Sequence, residues 1–352
     1  MPALATGFSE KVAKVRLRTE DTVTLILRSE NTNMSASLRN SLTCVELCAG
    51  AGGLSMGLKR AGFRHLLSVE FDVAACAMLE YAIPLGTARR ADVRDVDWTD
   101  ISRPDLVAGG IPCQPWSAAG RAAGPADARN LWPEAVRALR EMRPRAFLFE
   151  NVRGFLRPGF TDAVNLILDA LSLDGTYEVS VHRANAADYG TPQHRHRVFV
   201  VGLPPGVSFV PPARTHARDG AGGLIPWRTV RQAIGHLPPS GPGIPGHAVR
   251  AKAARPYPGH TGSVMDEPSK ALKAGVHGVP GGENMLCLDD GNYRYMTARE
   301  AALLMDFPAD HPLHPVWGTA LRQLGNAVPV RLAEAFGGAV ARALMSNRSL
   351  AR

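Results

Sequence analysis

The sequence predicts an α/β fold: a mostly parallel sheet with helices on both faces, and a small loop-rich second domain inserted before the chain returns. Three observations predict it. Between residues 41 and 203 short apolar runs alternate with segments of helical period, the pattern of crossover units on a parallel sheet. The texture changes at Leu203, because the stretch from Pro204 to Pro258 holds 11 prolines and little periodicity. Without ladder donors it cannot supply central strands. Helical period then resumes at Thr297–Met305 and Leu332–Met345.

Taken in order, residues 1–40 are polar and weakly patterned and read as a flexible leader, with one strand-like run at Thr22–Leu27. Leu42–Leu47 is a strand, Gly50–Gly53 a turn and Leu54–Ala61 a helix. Strand-like runs follow at His65–Glu70, Asp105–Ala108, Ala146–Phe149, Tyr177–Ala184 and Arg197–Gly202. Leu131–Met142 and Thr161–Leu173 are among the helical stretches between them. The resulting divisions are 41–203 for the sheet domain, 204–292 for the insertion, 293–346 for the return segment and 347–352 for a tail.

Composition narrows the function classes. A chain of 352 residues, 45% hydrophobic, can bury a sizeable core, and a net charge of +8 suits an anionic partner such as nucleic acid. No apolar run approaches membrane-spanning length, and the start lacks a signal-peptide core. The five cysteines (Cys44, Cys48, Cys76, Cys113, Cys287) show no CxxC pair and no zinc spacing. Such a sparse, odd set fits reduced thiols, so a cytoplasmic protein without a metal site is expected.

The first chemical signal is the turn Glu46-Leu47-Cys48-Ala49-Gly50-Ala51-Gly52-Gly53-Leu54-Ser55. Glycines between a strand and a helix let a ligand approach the backbone and meet helix N-terminal N–H groups. Ser55 stands where a dinucleotide fingerprint needs glycine, which weakens a nicotinamide reading. Glu70, twenty residues after Gly50 at a strand end, is placed to accept ribose hydroxyls. Asp92, after the next helix, is placed to accept an adenine amine. Together these residues indicate a nucleoside-containing cofactor.

The second signal is Cys113. It follows the strand Asp105–Ala108 and Gly109-Gly110, is held between Pro112 and Pro115, and precedes a small-residue loop, 118–130, that resembles a lid. A thiol at the carboxyl end of a sheet strand is placed to react. The next strand closes on Glu150-Asn151-Val152, so a carboxyl group sits on the same rim. Desolvation there would raise its pKa and suit it to donate a proton.

With these residues in place, the chain resembles the DNA cytosine-C5 methyltransferases. Six blocks occur in that family's order: Glu46–Leu58, Val69–Asp72, Pro112-Cys113-Gln114, Glu150-Asn151-Val152, Gln193–Arg197 and Gln323–Pro329. The resemblance implies a Rossmann-like, S-adenosyl-L-methionine-dependent methyltransferase sheet with a loop-rich target-recognition domain. It also implies methyl transfer to C5 of a cytosine flipped out of double-stranded DNA. Cys113 would be the nucleophile on C6, Glu150 would hold or protonate cytosine N3 and Arg197 would contact its O2. Arg195 would contact a phosphate or the nearby loop, and Asn326 would position the Cys113 region. Cofactor contacts are expected from Leu47, Cys48, Ala49, Gly50, Gly52, Gly53, Leu54, Glu70, Phe71, Asp92, Val93, Gly110, Pro112, Asn326, Ala327 and Val328. DNA contacts are expected from Gln114, Ser117, Arg121, Gln193, Arg195, Lys270, Lys273 and His277.

Two positions depart from the family pattern. Cys48 replaces a residue that is usually aromatic, leaving Phe71 as the candidate stacking face, and Glu46 replaces an aspartate. The Cys-Phe-Thr tripeptide typical of the tRNA-directed branch is absent, and Cys113, Glu150 and both arginines are present, which argues against a non-catalytic DNA-binding paralogue. The insertion is short for the family and implies a short recognition site. Because one chain carries every block, a monomer is expected, and any restriction endonuclease partner would act separately. The Thr297-Ala-Arg299-Glu300 run predicts a capped helix with a structural role.

Overall fold

The computed structural model describes residues 41–112, 127, 129–241, 243–250, 254–258, 261–274 and 284–350. The leader with its Thr22–Leu27 run, Cys113, Gln114, Ser117, Arg121 and His277 lie outside these residues.

Seven strands form the central sheet: β1 (Leu42–Leu47), β2 (Phe63–Glu70), β3 (Ala88–Arg90), β4 (Leu106–Gly110), β5 (Ala146–Val152), β6 (Glu178–Asn185) and β7 (His196–Leu203). Their spatial order is β3-β2-β1-β4-β5-β7-β6. Every pairing is parallel except those made by β7, which runs against both β5 and β6. The strand order reverses between β1 and β4, and a ligand crevice opens above the carboxyl ends of strands at such a point. β1, β4 and β5 are buried along nearly their whole length, as strands covered on both faces must be.

Helices α1 (Gly53–Arg60), α2 (Val73–Ala82), α3 (Trp132–Met142) and α4 (Thr161–Ser172) follow β1, β2, β4 and β5. Leu54 and Leu58 of α1 join Leu332, Phe336 and Val340 of the last helix, α8 (Val330–Leu350), against one sheet face. Trp132, Leu139 and Leu171 pack with Phe147, Phe149 and Val198 on the other. The sheet and its two helical layers thus agree with expectation. β3 was not anticipated, because three residues are too few to show an alternation.

The inserted stretch contributes a five-residue helix, α5 (Val230–Ile234), and the short strands β8 (His216–Ala217), β9 (Ile225–Pro226), β10 (Ser263–Val264) and β11 (Met285–Cys287). β12 (Tyr293–Tyr295), α6 (Ala298–Leu303) and α7 (Trp317–Asn326) lie in the return segment. Val230, Ile234, Leu272 and Leu286 share one apolar cluster with Met305, Leu321 and Leu324. The predicted cap on α6 is present: the Thr297 hydroxyl accepts from the Glu300 N–H, and Glu300 accepts from the Thr297 N–H.

Candidate active site

A cavity of about 300 Å³ opens at the carboxyl ends of β1, β2, β4 and β5. Its residues come from four separate regions, and each is set in place by an identifiable local contact.

The first wall is the glycine turn. Cys48, Ala49, Gly50 and Leu54 line the cavity. Gly50 has φ +58 and open space where a side chain would stand, so a ligand can rest on its backbone. Leu47, Gly52 and Gly53, expected as cofactor contacts, do not line it. Leu47 is a core residue. A Cβ at Gly52 would lie 2.6 Å from Ala82 Cβ, and one at Gly53 would lie 2.2 Å from the Val328 carbonyl oxygen. These two glycines allow close packing, and Gly53 brings the Ala327-Val328 wall against α1. Cys48 has φ +53, and burial, with nearby Glu70, pushes its thiol pKa well up, so the sulfur stays protonated.

The second wall is the end of β2. Glu70 Oε2 accepts from the Gly50 N–H at 2.8 Å, and its Oε1 accepts from the Asp72 N–H at 2.9 Å. Burial raises its pKa against those two donors. The two N–H bonds fix the carboxylate and leave lone pairs for hydroxyl donors. Phe71, 72% exposed, presents its ring at the cavity rim. Asp92 and Val93 line the next stretch of wall. Arg94 grips Asp92 in plane and holds its pKa below the usual carboxylate range.

The third wall carries Gly110 and Pro112 after β4, with Glu150 at the end of β5. Arg197 Nε lies 2.6 Å from Glu150 Oε1. Burial raises the pKa of Glu150, while Arg197 and then Arg195 oppose that rise. Asn151 Nδ2 donates to the Ile111 carbonyl at 3.2 Å, tying β5 to the strand end that precedes Pro112.

The fourth wall is Gly325-Asn326-Ala327-Val328 after α7, where Asn326 is exposed to the cavity. Arg322 and Gln323 donate to the two oxygens of Asp72 at 2.9 and 2.8 Å, joining this wall to the end of β2. Arg322, Gln323 and Arg129 also line the cavity. The sequence reading did not single out these contacts, although Gln323 begins one of its blocks.

Of the two partners expected of Arg195, a phosphate or the nearby loop, the structure shows the loop, and Gln193, expected at DNA, is turned inward. Arg195 is 1% exposed and donates to the carbonyls of Leu272 (2.9 Å), Gly325 (2.6 Å) and Ala327 (2.9 Å). Its guanidinium holds the neighbouring loops through these carbonyls, and the residue also borders the cavity beside Glu150. Gln193 is fully buried, donating to the Leu304 carbonyl and accepting from the Leu272 N–H. Lys270 donates to the Thr261 hydroxyl, and Lys273 is exposed. Both belong to a segment seated beside Asn326, where a Cβ at Gly325 would lie 2.5 Å from the Ala274 nitrogen.

A seven-stranded sheet with a reversed seventh strand, and an acidic strand end over a glycine turn, defines a Rossmann-like methyltransferase. The profile of the C-5 cytosine-specific DNA methylases matches residues 42–218 and 246–342. The chain is 33% identical over 323 residues to Type II methyltransferase M.NgoMIV of Neisseria gonorrhoeae, covering 86% of this chain and 98% of that protein. It is 30% identical over 379 residues to Type II methyltransferase M.PspPI of Psychrobacter sp. (strain TA137), covering 98% and 90%. A solved structure of Spodoptera frugiperda DNMT2 superposes with a TM-score of 0.64 at 16% identity, over 87% of this chain and all of that one. The chain belongs to the C-5 cytosine-specific DNA methylase family and is a DNA cytosine-C5 methyltransferase. Among the described residues no helix is long and apolar enough to cross a membrane.

Proposed function

We propose that the protein transfers a methyl group from S-adenosyl-L-methionine to C5 of a flipped cytosine in a short double-stranded DNA site, through a covalent bond from Cys113 to C6. One observation carries this reading. A single cavity holds both the Gly50–Glu70 shelf and the Glu150–Arg197 pair, with Pro112, the residue before Cys113, on its wall.

The open backbone at Gly50 and the anchored Glu70 carboxylate fit a ribosyl cofactor. Glu70 would accept the ribose hydroxyls, Asp92 the adenine amine, and Phe71 would cover the ring where Cys48 cannot. When bound, the cofactor supplies an electrophilic methyl group. Cytosine C5 is a weak nucleophile, and attack of the Cys113 thiolate on C6 turns the C4–C5–C6 unit into an enamine. Glu150, with its raised pKa, donates to N3 and draws charge away from the ring, while Arg197 holds O2. The C5 electron pair would take the methyl group, with the S–CH3 bonding electrons left on sulfur as S-adenosyl-L-homocysteine departs. Loss of the C5 proton to a base returns electrons toward C6 and expels the thiolate.

Residues 204–292 are assigned to target recognition, with Lys270 and Lys273 toward DNA, and 41–203 with 293–346 to catalysis. The Type II designation of the relatives supports a role beside a separately acting restriction endonuclease. The presence of every block in one chain supports a monomer, and the sparse, odd set of cysteines supports work in the cytoplasm.

The test is to incubate the protein with unmethylated DNA and S-adenosyl-L-methionine and map cytosine methylation base by base. Clustering at one short motif, lost in Cys113→Ala, is the expected result. DNA carrying 5-fluorocytosine at that motif should leave a denaturant-stable protein–DNA adduct, since fluorine cannot leave as a proton does. Methylation that persists in Cys113→Ala would defeat the covalent reading.

A further inference from the structure

Asp92 and Arg94 form a closed unit on the cavity wall. Asp92 caps a single 3-10 turn, Val93–Asp95. Its Oδ1 accepts from the Arg94 backbone N–H and from Arg94 Nε, each at 3.0 Å, and its Oδ2 accepts from Arg94 Nη2 at 2.6 Å. A carboxylate oxygen offers two in-plane lone pairs. Oδ1 is therefore saturated, and Oδ2 keeps one.

Stability does not account for this arrangement. The Arg94 side chain is 56% exposed, and an ion pair that open contributes little to folding. Arg322 and Arg197 tie separate elements together, but among the described residues Arg94 hydrogen-bonds only to Asp92, within its own turn. Both members of the pair line the cavity. A planar ligand lying there would shelter the pair from water and strengthen its hold.

We propose that Arg94 is a specificity-determining positioning residue. It fixes the Asp92 carboxylate so that the one remaining Oδ2 lone pair accepts the exocyclic amine of the cofactor's adenine and turns away a purine bearing a carbonyl there. The proposal rests on the assignment of Asp92 to the adenine end made above. An amine supplies the N–H that this lone pair needs. A 6-oxo group instead presents its own lone pair to an anionic oxygen, with no proton between them. Once Arg94 is removed, the carboxylate turns freely, can pair with the N1–H of a 6-oxo purine, and loses its preference.

The experiment titrates S-adenosylhomocysteine and its 6-oxo analogue, S-inosylhomocysteine, by calorimetry into the wild type, Arg94→Ala, Arg94→Lys and Asp92→Ala. The thermal midpoint of each ligand-free protein serves as the fold control. The wild type should prefer the adenine form by about tenfold or more. Arg94→Ala should bring the two affinities within about twofold of each other at an unchanged midpoint, and Arg94→Lys should recover part of the preference. A wild-type protein without a preference, or Arg94→Ala with the wild-type ratio, overturns the proposal. So does an Arg94→Ala protein with a lowered midpoint and both ligands weakened equally, which marks a brace of the fold. If Asp92→Ala keeps the ratio, the adenine assignment itself fails; if only Arg94→Ala keeps it, the role of Arg94 alone fails.

Discussion

Arg197 Nε stands 2.6 Å from Glu150 Oε1, with both side chains almost covered. Two opposing effects meet at that contact. Burial favours the neutral carboxyl group of Glu150, and the guanidinium favours the charged one, with burial the larger. A catalytic acid must hold its proton at the working pH, and the net upward shift of Glu150 acts in that direction.

The sign of the resulting pH dependence follows. In the proposed mechanism Glu150 donates while protonated, so kcat/KM should fall as pH rises through its raised pKa. In Arg197→Ala the cation that lowers this pKa is gone, so the alkaline limb should move to higher pH even as the rate drops. Glu150→Gln should lose about 100-fold or more in kcat/KM and lose the limb with it. pH–rate profiles of the wild type and the two variants decide the matter. An Arg197→Ala limb that moves to lower pH would contradict the coupling.

Arg195 is a brace, and its substitution should look like one. Truncation leaves the carbonyls of Leu272, Gly325 and Ala327 without their charged donor in a closed space. Arg195→Ala should cost about 3–5 kcal/mol of stability. DNA affinity is then measured as a function of salt on the protein that remains folded. With its guanidinium bound to three main-chain carbonyls, Arg195→Ala should leave the slope of log K against log salt unchanged, whereas loss of a phosphate contact would lower it by about one.

Most of the sheet was legible in the sequence because β1, β4 and β5 are buried on both faces and read as apolar runs with glycine at their ends. Glu70, Glu150 and the Gly50 turn were legible for a related reason: each closes a strand at the carboxyl edge, where chain order already fixes position. Gln193 was expected at DNA, and Arg195 was left between a phosphate and the nearby loop, because charge and polarity in a motif do not reveal direction. Their partners are main-chain carbonyls and N–H groups from residues 272, 304, 325 and 327, and no local pattern encodes such distant contacts. The close packing at Gly52 and Gly53 was hidden for the same reason, since a glycine spared for a ligand and one spared for a helix look identical in sequence. Arg322 escaped notice because Asp72, its partner, lies 250 residues away.

Gly53 and Gly57 separate packing from binding. A Cβ at Gly53 would meet the Val328 carbonyl oxygen at 2.2 Å, and one at Gly57 would meet Ala333 Cβ at 2.3 Å. Both alanine variants gain helix propensity worth about 1 kcal/mol, yet overpacking costs about 1–3 kcal/mol, so each should melt at a lower temperature. Only Gly53→Ala displaces a cavity wall. Cofactor titration should therefore show a several-fold weaker Kd for Gly53→Ala and an unaltered one for Gly57→Ala. Equal weakening in both would mean that general loosening, not the Val328 wall, sets the affinity.

Acid stability should be governed in part by Asp105, far from the chemistry. It accepts from the Thr43 N–H at 2.8 Å, the Thr43 hydroxyl at 3.0 Å and Arg145 Nη1 at 2.8 Å, while Arg145 Nη2 reaches the Leu344 carbonyl of α8. Burial alone would raise its pKa, but these donors outweigh burial and lower it. A carboxyl group with a depressed folded-state pKa contributes stability above its unfolded pKa and loses it as pH falls through the folded one. The wild type should accordingly lose stability below about pH 4, where unfolded aspartate begins to bind protons. Asp105→Asn cannot ionise, so it should be less stable at neutral pH, by about 2–4 kcal/mol, and less sensitive to acid. Denaturant midpoints recorded from neutral pH down to about pH 3 would show the two curves converging. Parallel curves would assign the acid sensitivity to other carboxylates and leave Asp105 with a packing role only.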